Sequence, residues 1–159
     1  MFRQHIATQT ELGKKVDAIL ARGDLVPDAI TVGMIRDRLA QEDAADGFVL
    51  DGFPRTMAQA DALDEMLAEV GKPLTIVFEL LVPDEIARTR MRRRAEQEGR
   101  SDDTPEVIER RIELYHRETV PIVQHYRLLG NLVGIHGTGT MDEVFAEIQE
   151  ALEQAAVRS

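Results

Sequence analysis

The chain is 159 residues long, 43% hydrophobic and 4% aromatic, a size and composition that predict a single domain over 1–159 with its own core. A formal net charge of −10 argues against a nucleic-acid partner, because neutralising phosphates demands a basic face, and the pattern carries neither a membrane-length apolar run nor a secretory leader. Cysteine is absent, which excludes disulfides and thiolate zinc sites and places the expected compartment in the reducing cytoplasm.

Helices alternate with short apolar runs along the chain. Thr10 caps a helix carrying Val16, Ile19 and Leu20, which Gly23 ends. Asp28 caps the next, with Ile30, Met34, Ile35 and Leu39. Phe48-Val-Leu50 reads as a short buried strand. Thr56 and Gln59 have capping-box spacing and open a helix whose stripe is Leu63, Met66, Leu67 and Val70. Leu74–Val82, apolar and bounded by Pro73 and Pro83, reads as a second buried strand. A helix follows from Asp84, then a polar stretch, Glu96–Thr104. Pro105 is the first residue of another helix, and Pro121 kinks or splits it. Leu132–Ile135 is the third strand. Gly137-Thr-Gly-Thr140 leads into a last helix with Val144, Phe145, Ile148 and Leu152 on one face. This alternation predicts an α/β fold, a parallel sheet covered by helices.

One stretch dominates the functional reading: Gly47-Phe-Val-Leu-Asp-Gly-Phe-Pro-Arg-Thr-Met-Ala-Gln-Ala-Asp-Ala-Leu63. It sets a carboxylate, Asp51, and a guanidinium, Arg55, where a strand runs into a helix, the edge at which open α/β sheets gather ligands. The plain alternative, a capped turn with a local charge pair, would be preferred for an isolated Asp-Gly. Arg88, Arg90, Arg92, Arg93 and Arg94 crowd into seven residues. A solvated helix face is the ordinary reading of such a run, although Arg90 and Arg94, four apart, share a face. His5, His116, His125 and His136 lack metal-ligand spacing. Gly137–Thr140 has the look of a phosphate cradle, but no lysine follows, and Thr140 with Glu143 forms a capping box.

The long stretch resembles the signature of the nucleoside monophosphate kinases, most closely adenylate kinase. Met1-Phe-Arg3, Glu11-Leu-Gly13, Gly23-Asp-Leu-Val-Pro-Asp28, Arg100-Ser-Asp-Asp-Thr104, Arg110-Arg-Ile-Glu-Leu-Tyr-His116 and His136-Gly-Thr-Gly139 are similar to further motifs of that family, in its order. The resemblance implies the reversible transfer ATP + AMP ⇌ 2 ADP, with Mg²⁺ arriving on ATP and no zinc. It implies a partial AMP-binding region over 1–26 and a short lid over 94–104. Arg55, Arg94, Arg100 and Arg111 would be catalytic. Arg3, the backbone of Asp24, Leu25 and Val26, Gly52 and Gln59 would join Arg55, Arg100 and Arg111 around AMP. Arg90, Arg94 and Gly139 would meet ATP, and Asp51 would order water around Mg²⁺. Arg93 stands where the family usually has glycine.

The family's phosphate loop, Gly-x-x-x-x-Gly-Lys-Ser/Thr, does not occur, and the resemblance implies that roughly 33 residues carrying it lie outside this sequence. The expectation is therefore a weakly folding, nearly inactive chain. The family's monomeric state would give way to association through open sheet edges. A non-catalytic remnant that binds nucleotide weakly, and a UMP- or CMP-type kinase fragment, are the alternative readings.

Overall fold

The computed structural model describes residues 1–98 and 104–158 and divides them into two compact units. The first comprises Met1–Val49 and Arg88–His116, the second Leu50–Ala87 and the residues from Arg117 onward.

The first unit is helical. Helix α1 (Phe2–Ala7), which the sequence reading lacks, packs on α2 (Glu11–Leu20). A side chain at Gly13 would collide with the His5 carbonyl, so glycine permits this close approach. Thr10 caps α2 as predicted, accepting from the Gly13 amide at 3.0 Å. Helix α3 (Asp28–Leu39) begins one residue earlier than predicted. Pro27 takes the capping position, and Asp28 lies in the first turn, where its charge suits the helix dipole. Helix α5 (Asp84–Glu98) leads into this unit, and α6 (Pro105–Leu114) belongs to it, with Pro105 at its start as predicted and Thr104 capping it. Val16, Val26, Ile35, Ile108, Ile112 and Leu114 are buried.

The second unit holds the sheet. Strands β1 (Val77–Leu81) and β2 (Leu132–His136) pair in parallel, from Val77 opposite Leu132 to Leu81 opposite His136. Helix α4 (Met57–Glu69) and helix α7 (Val120–Leu129) contribute Ala60, Ile122 and Tyr126 to a core against which Leu74, Val77 and Leu132 pack. A π-helical turn over Tyr115–Thr119 separates α6 from α7, with Pro121 in the first turn of α7, so the expected break is real. The last helix, α8 (Met141–Arg158), follows β2. Its expected apolar stripe divides: Val144 and Ile148 are half-buried, whereas Phe145 and Leu152 are exposed.

The parallel α/β architecture stands, but one strand does not. Phe48–Leu50 forms no ladder with any described residue, and Val49 is 94% exposed. An apolar run becomes a strand only where a neighbour takes up its amides and carbonyls. Gly47 and Gly52, on either side of it, both have positive φ.

Candidate functional site

In the first unit the Gly23–Val26 loop lies against α6. Gly23 has φ +74°, and a Cβ there would stand 3.0 Å from Val107 Cγ1 and 3.6 Å from Arg111 Cγ. Any larger residue would be strained in its backbone and pushed off the helix. Asp24 accepts from Arg110 Nε at 2.6 Å and from Arg22 Nε at 3.2 Å. The Arg110 hydrogen bond, more than any other contact, holds the Asp24 carboxyl below its ordinary value. Val26 is buried and Leu25 half-buried. Arg94 is half-buried on α5 with Arg90 exposed, and Arg3 is exposed on α1. The structure therefore brings Asp24 and Arg111 to one face of α6. Arg100 lies outside the described residues, as do residues 99–103 of the expected lid.

In the second unit Asp51, Gly52, Arg55 and Gln59 form one turn. Gly52 has φ +71°, and a Cβ there would sit 2.8 Å from Arg55 Nη2. The guanidinium folds back over the glycine, its Nε donating to the Gly52 carbonyl at 2.8 Å. Thr56 caps α4 by accepting from the Gln59 amide at 3.2 Å, while Gln59 Oε1 accepts from the Arg55 amide at 2.8 Å. This is a capping box whose return bond reaches one residue further back than usual. Gln59 is 2% exposed, a buried polar side chain committed to the backbone of Arg55. Thr119 Oγ1 donates to the Arg55 carbonyl at 3.2 Å. Both backbone polar groups of Arg55 are thus held, while its exposed side chain lies over the turn.

Those two arrangements are a guanidinium-bearing turn and a glycine-seated loop beside a second arginine. Comparison with known proteins decides what they belong to. The adenylate kinase family model matches residues 1–131. The chain belongs to the adenylate kinase family. It is 48% identical over 152 residues to an adenylate kinase of Micrococcus luteus, covering 96% of this chain and 74% of that one. With an adenylate kinase of Thermobifida fusca it shares 47% identity over 156 residues, 98% of this chain and 82% of the other. An adenylate kinase of Stenotrophomonas maltophilia is 44% identical over 153 residues. The resemblance read from the motifs, and with it the class of nucleoside monophosphate phosphotransferase, is thereby shown.

The loop after β2 illustrates how a family motif can also be a structural device. Gly137 is buried, its amide donating to the Leu81 carbonyl at 3.1 Å, and a Cβ would meet Val82 Cγ2 at 2.5 Å. Gly139 makes room for Glu143, whose Oε2 accepts from the Thr140 amide at 2.7 Å. Thr140 Oγ1 in turn accepts from the Glu143 amide at 3.3 Å, which completes the predicted capping box. The Thr140 backbone and hydroxyl bonds lower the Glu143 pKa. His136 is tied down likewise. Its amide and its Nδ1 both reach the Glu147 carboxylate at 2.9 Å, and the ring contact is the larger cause of that carboxyl's lowered pKa.

Sequence reasoning missed Arg110 and gave Arg88 to the solvent. Arg88 Nε in fact donates to Glu109 Oε1 at 2.8 Å and is only 23% exposed, a strut from α5 to α6. Neither pairing has a local signal: the partners of Arg110 and Arg88 lie 86 and 21 residues away. Gly13 could have been suspected as a helical glycine, which costs stability unless something packs against it.

Proposed function

We propose that this chain is the AMP-binding and phosphoryl-accepting part of an adenylate kinase, transferring the γ-phosphoryl group of ATP to AMP. The observation that carries this reading is the Asp51–Gln59 turn. A buried carboxamide and a hydroxyl fix the Arg55 backbone so that its fork is presented from one place. Phosphoryl transfer asks little covalent work of the protein, only positioning and neutralisation of charge. An AMP phosphate oxygen attacks the γ-phosphorus, the bond from that phosphorus to the ADP oxygen breaks, and cations spread the charge. A planar guanidinium suits this because it binds two phosphate oxygens at once and keeps its proton.

In this reading Arg3, Arg55, Arg100 and Arg111 hold the AMP phosphate and the group in flight, and Gly52 leaves room for the fork. The backbone of Asp24, Leu25 and Val26 lines the base. Gln59 serves AMP first through Arg55; a direct bond to adenine requires its buried amide to turn outward. Arg90, Arg94 and Gly139 face ATP. Among the described residues no group of three or more His, Cys, Asp or Glu side chains could hold a metal ion. Asp51, a single exposed carboxylate, fits contact through water with Mg²⁺ that arrives as part of the ATP substrate.

The 159 residues contain no Gly-x-x-x-x-Gly-Lys-Ser/Thr, whose backbone amides and lysine hold ATP phosphates. These residues by themselves therefore bind AMP but turn over at background. ADP formation from ATP and AMP should appear when an amino-terminal segment carrying that loop, taken from a relative, is joined to them. Turnover by the 159 residues, purified free of host kinase, refutes the need for the loop. Silence of the joined chain, with AMP binding intact, leaves a nucleotide-binding remnant.

A further inference from the structure

Three residues of α6, Val107, Arg110 and Arg111, have the i, i+3, i+4 spacing of one helix face. The Gly23–Val26 loop lies along that face. Gly23 seats on Val107 and beside the Arg111 stem, and one residue further on Asp24 accepts from Arg110 through both Nε and Nη2, each at 2.6 Å. The other cation on Asp24, Arg22, is two residues away in sequence and cannot refer the loop to a different element. Arg110 is the contact that does so, across 86 residues of chain.

We propose that Arg110 is a positioning residue: by clamping Asp24 it holds the loop that lines the nucleotide base on the helix that presents Arg111, and so sets the spacing between base pocket and phosphate arginine. This rests on the site reading above, in which the loop meets the base and Arg111 the phosphate. A nucleoside monophosphate carries those two features at its opposite ends. If both are referred to one helix face, the ligand meets a fixed separation; if the clamp opens, part of its binding energy goes into closing the loop. The pair is half open to water, with 53% of the Arg110 side chain and 28% of the Asp24 side chain exposed. Its effect is accordingly modest, about fivefold in affinity, and small in overall stability.

The test measures AMP dissociation by calorimetry, amide exchange over Gly23–Val26 and melting temperature on the 159-residue chain. The variants are Arg110→Gln, Asp24→Asn, the two together, and Arg110→Lys. Each neutralising variant should weaken AMP about fivefold and speed loop exchange, with melting unchanged within about 2 °C. The double variant should be no worse than either single one, since both remove the same contact. Arg110→Lys, which keeps the charge and loses the fork, should recover part of the affinity. Additive losses in the double variant, affinity that falls only in step with melting, or faster exchange with unchanged affinity would each overturn the positioning role. If the unsubstituted chain binds no AMP, the site reading fails and the proposal fails with it. If it binds AMP and the variants bind equally, the proposal alone fails.

Discussion

Two segments of the molecule solve the same problem by different chemistry. The Gly23–Val26 loop and the Asp51–Gln59 turn each pivot on a glycine in the left-handed region, at φ +74° and +71°. Each brings a nearby arginine under control. The first is fastened by charge, Asp24 between Arg22 and Arg110. The bonds described for the second run through a carboxamide, a hydroxyl and backbone groups. Ionic fastening is screened by salt and lost on protonation, and in half-exposed places it is weak. Fastening by a buried amide is indifferent to both and costly to break. The loop should therefore yield readily, and the turn should hold its arginine in one geometry.

The largest effect should come from the arginine that the turn holds. In the chain joined to a phosphate loop, Arg55→Lys retains the charge but loses both the fork and the Nε that donates to Gly52. If the fork clamps the phosphoryl group in flight, kcat should drop on the order of 10³-fold while AMP affinity changes far less. A near-normal kcat would reduce the turn to a fold marker. It would also erase the contrast, since the rigid turn would then have no catalytic duty.

The next effect is on stability. Gln59→Leu fills similar space but removes the acceptor of the Arg55 amide and places an aliphatic group in a polar niche. Losing a buried partner of this kind costs about 1–3 kcal/mol. Urea titration should show that loss, with Arg55 amide exchange accelerated. The equivalent blow to the other segment, Arg110→Gln, should leave the denaturation midpoint nearly still. Equal losses at the two sites would mean that the ionic loop is as firmly built as the turn.

How much of this was legible in the sequence depended on distance along the chain. Devices that close within a few residues could be read: the Thr10 and Thr56 caps, the helix start at Pro105, the Thr140–Glu143 box and the break at Pro121 all stand in the structure. Features decided by a remote partner could not. Phe48–Leu50 has a strand's composition but no neighbour, Phe145 has a core position's spacing but 60% exposure, and Arg110 and Arg88 find partners on other elements. The turn's residues stand out in their motif, whereas the bond that fixes Arg55, from a glutamine assigned to the ligand, shows only in the folded chain.

The smallest effect separates the two segments by pH. The Asp24 carboxyl titrates below its ordinary 3.8 because Arg110 hydrogen-bonds its charged form, so near that pH the unfolded chain binds more protons than the native one. Stability from this carboxylate is fully present above 3.8 and is lost as pH falls through the lower native value. Protection of the Leu25 and Val26 amides, corrected for intrinsic exchange, should accordingly decline as the solution is acidified below about pH 4, with added salt eroding it further at neutral pH. The Arg55 and Gln59 amides should keep their protection in both titrations, because a carboxamide oxygen and a threonine hydroxyl accept their bonds and neither titrates in that range. If the turn loosened first on acidification, or if salt left the loop untouched, the division between ionic and neutral fastening would be false. Arg110 would then have to act through the packing of its stem rather than its charge, a distinction that Arg110→Lys and Arg110→Gln, compared at two salt concentrations, would draw directly.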